Sequence, residues 1–259
     1  MQHRPRKRFG QHFLHDPRII GKIIAAVAPK PGETLVEIGP GLGAITLPLL
    51  EQVGNLTAVE LDRDVIPHLE AAAAPKGRLR IVQGDALEVA LAPLAPAGGK
   101  LRLVGNLPYN VSTPLLFHFL EQADCVQDMH FMLQKEVVQR MAAKPGGKEY
   151  GRLTVMLASR CKVEPLFNIG PGAFRPPPKV DSAFVRLTPY VAPPFAIADR
   201  SRYAMVVTQA FSHRRKTLKN AVAGLVDEAA IMAAGLDPKA RPETLSAADF
   251  AKLADKESA

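Results

Sequence analysis

Asn106-Leu107-Pro108-Tyr109 is the stretch whose residue types point most directly to chemistry. An exocyclic amine such as adenine's is a poor nucleophile, because its lone pair is delocalised into the ring. The Asn106 side-chain oxygen and the Leu107 carbonyl are acceptors with no acidic proton. Together they can bind the two N–H donors of such an amine and favour a pyramidal nitrogen facing a methyl donor. Pro108 fixes φ and stiffens the loop, while Tyr109 offers a face on which a flipped base can stack. The same residues also suit an ordinary strand-to-helix turn with a packed tyrosine, so the reading depends on what lies upstream.

Upstream lies a nucleotide turn, Glu37-Ile38-Gly39-Pro40-Gly41-Leu42-Gly43, at the end of an apolar segment. Glycines there allow a tight turn and close approach of a ligand to the backbone. Gly39-x-Gly41-x-x-Ala44 alone also satisfies a dinucleotide fingerprint. Glu37, two positions before the first glycine, has no role in a dehydrogenase turn and suits a cationic ligand such as the sulfonium amino acid of S-adenosylmethionine. Glu60 follows about twenty residues later, where a carboxylate can take both ribose hydroxyls. Asp85, in Gly84-Asp85-Ala86, can accept from the amino group of the cofactor's adenine or cap the next helix.

These residues need a scaffold that brings strand ends together. Short apolar runs predict strands at Thr34–Ile38 and near Leu56–Glu60, Leu79–Gln83, Leu101–Gly105 and Met129–Leu133. Helices are predicted from Asp16-Pro17 to Val27 and near Ile45–Gln52, Val65–Ala73, Thr113–Gln122 and Glu136–Ala142. Such alternation implies an α/β fold, a parallel sheet covered by helices on both faces, with ligands at the carboxyl ends of the strands. A helix at Arg152–Arg160 and strands at Lys162–Ile169 and Ala183–Leu187 are expected to complete this layer, the last two antiparallel. Pro189–Pro194 reads as a linker, and Arg200–Val222, Asp227–Ala234 and Ala247–Leu253 as a small helical appendage. The expected divisions are a basic tail over 1–10, a catalytic domain over 11–194 and a helical domain over 195–259.

The chain has 259 residues and a net charge of +8, which points to a polyanionic partner such as nucleic acid. Basic residues cluster at Arg4, Arg6, Lys7 and Arg8, and again at Arg214, Arg215, Lys216 and Lys219 on the predicted Arg200–Val222 helix. Both runs are candidate phosphate contacts. No apolar run reaches the roughly 18 residues needed to span a bilayer and the amino terminus has no apolar signal segment, so a cytoplasmic location is expected. Cys125 and Cys161 have no metal-site spacing and are expected to be reduced and structural; no metal is expected.

With these residues in hand, the chain resembles the ribosomal RNA adenine dimethyltransferases, specifically the bacterial small-subunit group. The resemblance runs through Lys7-Arg8-Phe9-Gly10-Gln11, Val36-Glu37-Ile38-Gly39-Pro40-Gly41, Glu60-Leu61-Asp62, Gly105-Asn106-Leu107-Pro108-Tyr109-Asn110, Met132-Leu133-Gln134-Lys135-Glu136, Phe174-x-Pro176-Pro177-Pro178-Lys179-Val180-Asp181-Ser182 and Phe211-x-x-Arg214-Arg215-Lys216. It implies a Rossmann-like S-adenosylmethionine-dependent fold, with one antiparallel strand and a small helical carboxy-terminal domain that binds RNA. It further implies cofactor contacts by His12, Leu14, Gly39, Glu60, Asp85 and Asn106, and stacking of Phe174 on the target adenine opposite Tyr109, where the alternative is that Phe174 anchors its loop in the core. One departure stands out: the family most often has Asn where this chain has His12. A contact through the backbone tolerates that change; one through the amide does not.

The implied reaction is in-line attack of adenine N6 on the sulfonium methyl, at two adjacent adenosines in the 3′-terminal hairpin of 16S ribosomal RNA, in the immature small subunit and by a monomer. Large-subunit RNA or DNA as target, and an RNA-binding assembly factor with secondary catalysis, are the competing readings.

Overall fold

Strands buried on both faces read as unbroken apolar runs, and the central strands here do so: Leu35–Ile38 is buried throughout and Leu101–Asn106 is buried up to its last residue. The computed structural model describes residues 12–255. Contacts divide the chain into two compact units, one of residues through Val138 with Glu164–Pro189, the other of Gln139–Val163 with residues from Tyr190 onward.

In the first unit, strand β1 (Phe13–Leu14) precedes helix α1 (Pro17–Val27), followed by β2 (Leu35–Ile38), α2 (Thr46–Val53), β3 (Asn55–Glu60), α3 (Ile66–Ala73) and β4 (Arg78–Gln83). Then come β5 (Leu101–Asn106), α4 (Ser112–Glu121), β6 (Val126–Gln134) and α5 (Lys135–Met141), whose end passes into the second unit. After α6 (Arg152–Ala158) the chain forms β7 (Cys161–Ile169), β8 (Phe174–Arg175) and β9 (Ser182–Pro189). The main sheet has the order β4-β3-β2-β5-β6-β9-β7. From β4 to β6 the pairings are parallel, and β9 runs antiparallel to β6, as expected of this fold class.

Local chemistry fixes the first helix. The Asp16 carboxylate accepts from the Arg18 N–H at 2.8 Å, Pro17 sits in the first turn, and Ala28 closes the helix in the left-handed region at φ 46°. At the opposite end of the sheet from the Asn106 loop, Arg102 pins the start of β5. Its guanidinium donates to Asp128 at 2.9 Å, Glu33 at 2.8 Å and the Val27 carbonyl at 2.7 Å. At the other end of β5, Gly105 lets β2 approach: a Cβ there would lie 2.4 Å from the Ile38 carbonyl oxygen. That approach sets the nucleotide turn beside Asn106.

The helical unit holds α6 together with α7 (Arg200–Ser212), α8 (Leu218–Ala221), α9 (Glu228–Ala233) and α10 (Ala247–Ala254). Val155, Tyr203, Val206, Leu218, Ile231 and Phe250 share one buried core. The Tyr203 hydroxyl donates to the Val155 carbonyl at 3.1 Å, tying α6 to α7. From sequence, Arg152–Arg160 is expected in the sheet layer and the helical domain from 195; in the structure this helix belongs with the carboxy-terminal helices. Its apolar positions find partners about fifty residues later, which local periodicity does not reveal.

The expected helix over Arg200–Val222 is two helices. His213 leaves helical geometry, and Thr217 starts α8 from an extended conformation. Arg214, Arg215 and Lys216 therefore lie in the connecting turn, not on a helix. Three adjacent like charges repel, and the turn lets Arg214 donate to the Gly147 carbonyl at 3.3 Å and reach Glu243 at 3.8 Å.

Candidate active site

The carboxyl ends of β2, β3, β4 and β5, with the segment at β1, enclose a cavity of about 240 Å³. The nucleotide turn leaves β2 through Gly39, Gly41 and Gly43, all at positive φ (67°, 54° and 88°), a path that side chains disfavour. A Cβ at Gly41 would also press within 3.1 Å of the Phe13 ring. Gly39 is anchored by its N–H, which donates to the Val59 carbonyl at 2.9 Å.

Glu60 ends β3 with a buried carboxylate that bridges two loops. Its Oε2 accepts the Gly41 N–H at 3.1 Å and its Oε1 accepts the Asp62 N–H at 2.8 Å. Burial pushes its pKa upward, and the two backbone amides pull against that rise. Asp85 lines the cavity and accepts the Leu87 N–H at 2.9 Å, closing a turn over Ala86–Glu88; no helix begins there, so the capping alternative does not hold.

Glu37 is more deeply buried, and one of its oxygens, Oε2, has no hydrogen-bond partner. Desolvation, together with the neighbouring Glu60 charge, pushes its pKa up to about 8 against an opposing contribution from Thr46. An orphaned acceptor in the wall of a cavity is costly unless a ligand completes it.

The Asn106 loop closes the other side. The Asn106 Nδ2 donates to the His12 carbonyl at 3.0 Å. Because a carbonyl only accepts, the amide nitrogen must face His12, which leaves Oδ1 as the acceptor on the other branch. The Leu107 N–H donates to the Met132 carbonyl at 3.2 Å, and Val111 N–H to the Pro108 carbonyl at 3.2 Å. The Tyr109 hydroxyl is 2.6 Å from Ser182 Oγ. Burial raises the Tyr109 pKa, with the Ser182 hydrogen bond opposing the rise.

The cavity thus gathers His12, Leu14, Gly39, Glu60 and Asp85 with Asn106, Leu107, Pro108 and Tyr109. Phe174 is not brought in. It is 2 % exposed, paired with Leu14 across the small β1–β8 ladder, and packed in the core with Phe184 and Ile169. In this structure it anchors the loop that follows, and its expected stacking on the target base is not part of the cavity lining.

Asp62 and Phe13 also line the cavity and were given no contact from sequence. Asp62 had a signal, an acid two positions past Glu60. Phe13 had none, because its placement follows from pairing with Arg175 far along the chain. Of the basic residues, Arg215 and Lys216 are exposed, while Arg214 pairs with Glu243 and Lys219 with Glu228 at 3.3 Å. Arg4, Arg6, Lys7 and Arg8 lie outside the described residues. Among the described residues, no group of acidic, His or Cys side chains could hold a metal, and no helix is long and apolar enough to cross a membrane.

The family profile described as "Ribosomal RNA adenine dimethylase" matches residues 2–257. The chain belongs to the ribosomal RNA adenine dimethylase family. It is an S-adenosylmethionine-dependent ribosomal RNA adenine methyltransferase. It is 55% identical over 98% of its length to the ribosomal RNA small subunit methyltransferase A of Pseudomonas putida, covering 96% of that protein. It is 57% identical, over 97% of its length and 96% of the relative, to the protein of the same name from Xanthomonas campestris. Among solved structures, a dimethyladenosine transferase from Plasmodium falciparum matches with a TM-score of 0.77 at 27% identity, over 93% of this chain and 96% of that one. The 23S rRNA methyltransferase ErmE matches with a TM-score of 0.72 at 25% identity, over 94% and 98%.

The residues present fit the family's cofactor. The glycine turn allows close approach, Glu60 keeps lone pairs for ribose hydroxyls beyond its two backbone bonds, and the unsatisfied Glu37 oxygen suits a cationic amino acid end.

Proposed function

We propose that the enzyme dimethylates N6 of two adjacent adenosines in the 3′-terminal hairpin of 16S ribosomal RNA, acting as a monomer in the cytoplasm on the immature small subunit. The observation that carries this target is the grading of the resemblance. Relatives named for the small subunit share 55% and 57% identity over nearly the whole chain, whereas a large-subunit enzyme of the same fold shares 25%.

Within that reading, Leu14, Gly39, Glu60, Asp85 and Asn106 hold the cofactor, His12 contacts it through its main chain rather than its imidazole, and Glu37 lies beside its charged end. S-adenosylmethionine, when bound, supplies an electrophilic methyl group on sulfur. Asn106 Oδ1 and the Leu107 carbonyl accept the N6 hydrogens, and this polarisation localises the lone pair on the nitrogen. The Nδ2 bond to His12 supports this role, since it fixes which branch of the amide faces the cavity. Tyr109, tethered at its hydroxyl by Ser182, gives the target base a stiff stacking face. The amine's proton leaves to water once the nitrogen has become cationic. Exposed Arg215 and Lys216, with the basic amino-terminal run, supply phosphate contacts.

Labelled S-adenosylmethionine offered with small and large subunits, each from a strain lacking its own adenine methylation, tests the target. Label in small subunits supports the reading; label confined to large subunits overturns it.

A further inference from the structure

The His12 side chain sits at a junction that its expected role as a cofactor contact does not require. The β1–β8 register pairs Phe13 with Arg175 and Leu14 with Phe174, so one step further brings His12 opposite Pro176. There the His12 Nδ1 lies 2.7 Å from the Pro176 carbonyl oxygen. A carbonyl only accepts, so Nδ1 carries the proton. The same imidazole stacks on Tyr109, with ring centroids 5.8 Å apart and planes inclined by 26°. Its main-chain carbonyl receives the Asn106 amide at 3.0 Å. One residue therefore touches the acceptor side chain, the aromatic platform and the loop after β8.

We infer that His12 is a positioning residue for methyl transfer: its imidazole clamps Tyr109 against the Pro176 loop, while its carbonyl keeps Asn106 Oδ1 turned to the cavity. This rests on the reading of Asn106 as acceptor and Tyr109 as platform. Ser182 holds the Tyr109 ring at its hydroxyl and His12 holds it on a face, so the two constraints together leave the ring little freedom. Such stiffness matters because misplacement of a reacting group by about 1 Å can cost on the order of a hundredfold in rate. Asparagine, the residue the family most often carries here, can keep a donor toward Pro176 but has no ring to stack. Histidine supplies both functions in this chain.

The test uses the full-length protein and single-turnover methyl transfer to unmethylated small subunits at saturating cofactor, with cofactor affinity measured separately by calorimetry. His12→Ala removes donor and ring; His12→Phe keeps a ring without the donor; His12→Asn keeps a donor without the ring. The expected result is a roughly tenfold lower transfer rate for the alanine variant, partial recovery in both others, and cofactor affinity within about twofold throughout. An unchanged rate in His12→Ala, or a loss that follows cofactor affinity, overturns the inference. The underlying reading is judged separately on Asn106→Ala and Tyr109→Ala. If these abolish transfer while His12→Ala does not slow it, the reading stands and the positioning role falls; if they leave the rate intact, the reading itself falls.

Discussion

The Glu60 carboxylate accepts the backbone N–H of Gly41 at 3.1 Å, joining the end of β3 to the nucleotide turn after β2. One acid thereby sets the shape of the turn and remains in the cavity wall as an acceptor. Its position is fixed before any ligand arrives, which reduces the ordering cost of binding.

Replacing Glu60 by Gln is expected to weaken S-adenosylmethionine binding by roughly ten- to a hundredfold, the range for losing hydrogen bonds to a charged acceptor. Calorimetry reads this directly. Unchanged affinity would remove Glu60 from the cofactor site.

Glu37 gives the cofactor affinity a pH dependence. The folded protein keeps the Glu37 proton up to about pH 8, whereas the unfolded chain releases it near 4.5. The native state thus binds more protons in that window, and Glu37 contributes a stability that falls as pH rises from 4.5 to 8. A cationic ligand favours the ionised form, so affinity should rise with pH toward 8, by at most roughly tenfold per unit, with proton release. Calorimetry in buffers of different ionisation enthalpy measures both. A profile identical in Glu37→Gln would contradict the assignment.

Gly105→Ala forces a Cβ against the Ile38 carbonyl, a backbone atom unable to move without separating β2 from β5. The expected cost is roughly 3 kcal/mol. Thermal unfolding should show a midpoint lower by roughly 6–12 °C. A shift within about 2 °C would mean the strands yield more easily than their packing implies.

Salt dependence separates the basic residues of the helical unit. Arg214 and Lys219 already face Glu243 and Glu228, whereas Arg215 and Lys216 are exposed. Neutralising Arg215 and Lys216 should lower the slope of log affinity against log salt by up to about two, the larger effect of the two pairs. Equal slopes for all variants would make this turn a bystander.

Much of the sheet was legible because buried strands are apolar and end in residues that chemistry makes conspicuous. Glu60 and Asn106 end two such strands, Asp85 follows the partly exposed edge strand β4, and a parallel sheet brings all three together. What escaped depends on partners distant in sequence. Phe174 can stack on a base or anchor its loop as far as the sequence goes, and only its pairing with the distant Leu14 shows that it is buried. The break at His213 was masked by a helical pattern that continues on both sides of the charged turn. The helix Arg152–Ala158 carried no local sign that its apolar face meets Tyr203.

Dimethylation of the small-subunit hairpin through Asn106 is decided by nucleoside mass spectrometry of small-subunit RNA after in vitro transfer, with the modified positions mapped. The expected products are N6,N6-dimethyladenosine at the two adjacent hairpin adenosines with the wild-type protein and none with Asn106→Ala. Methylation at another atom or another site, or undiminished dimethylation by Asn106→Ala, would contradict it.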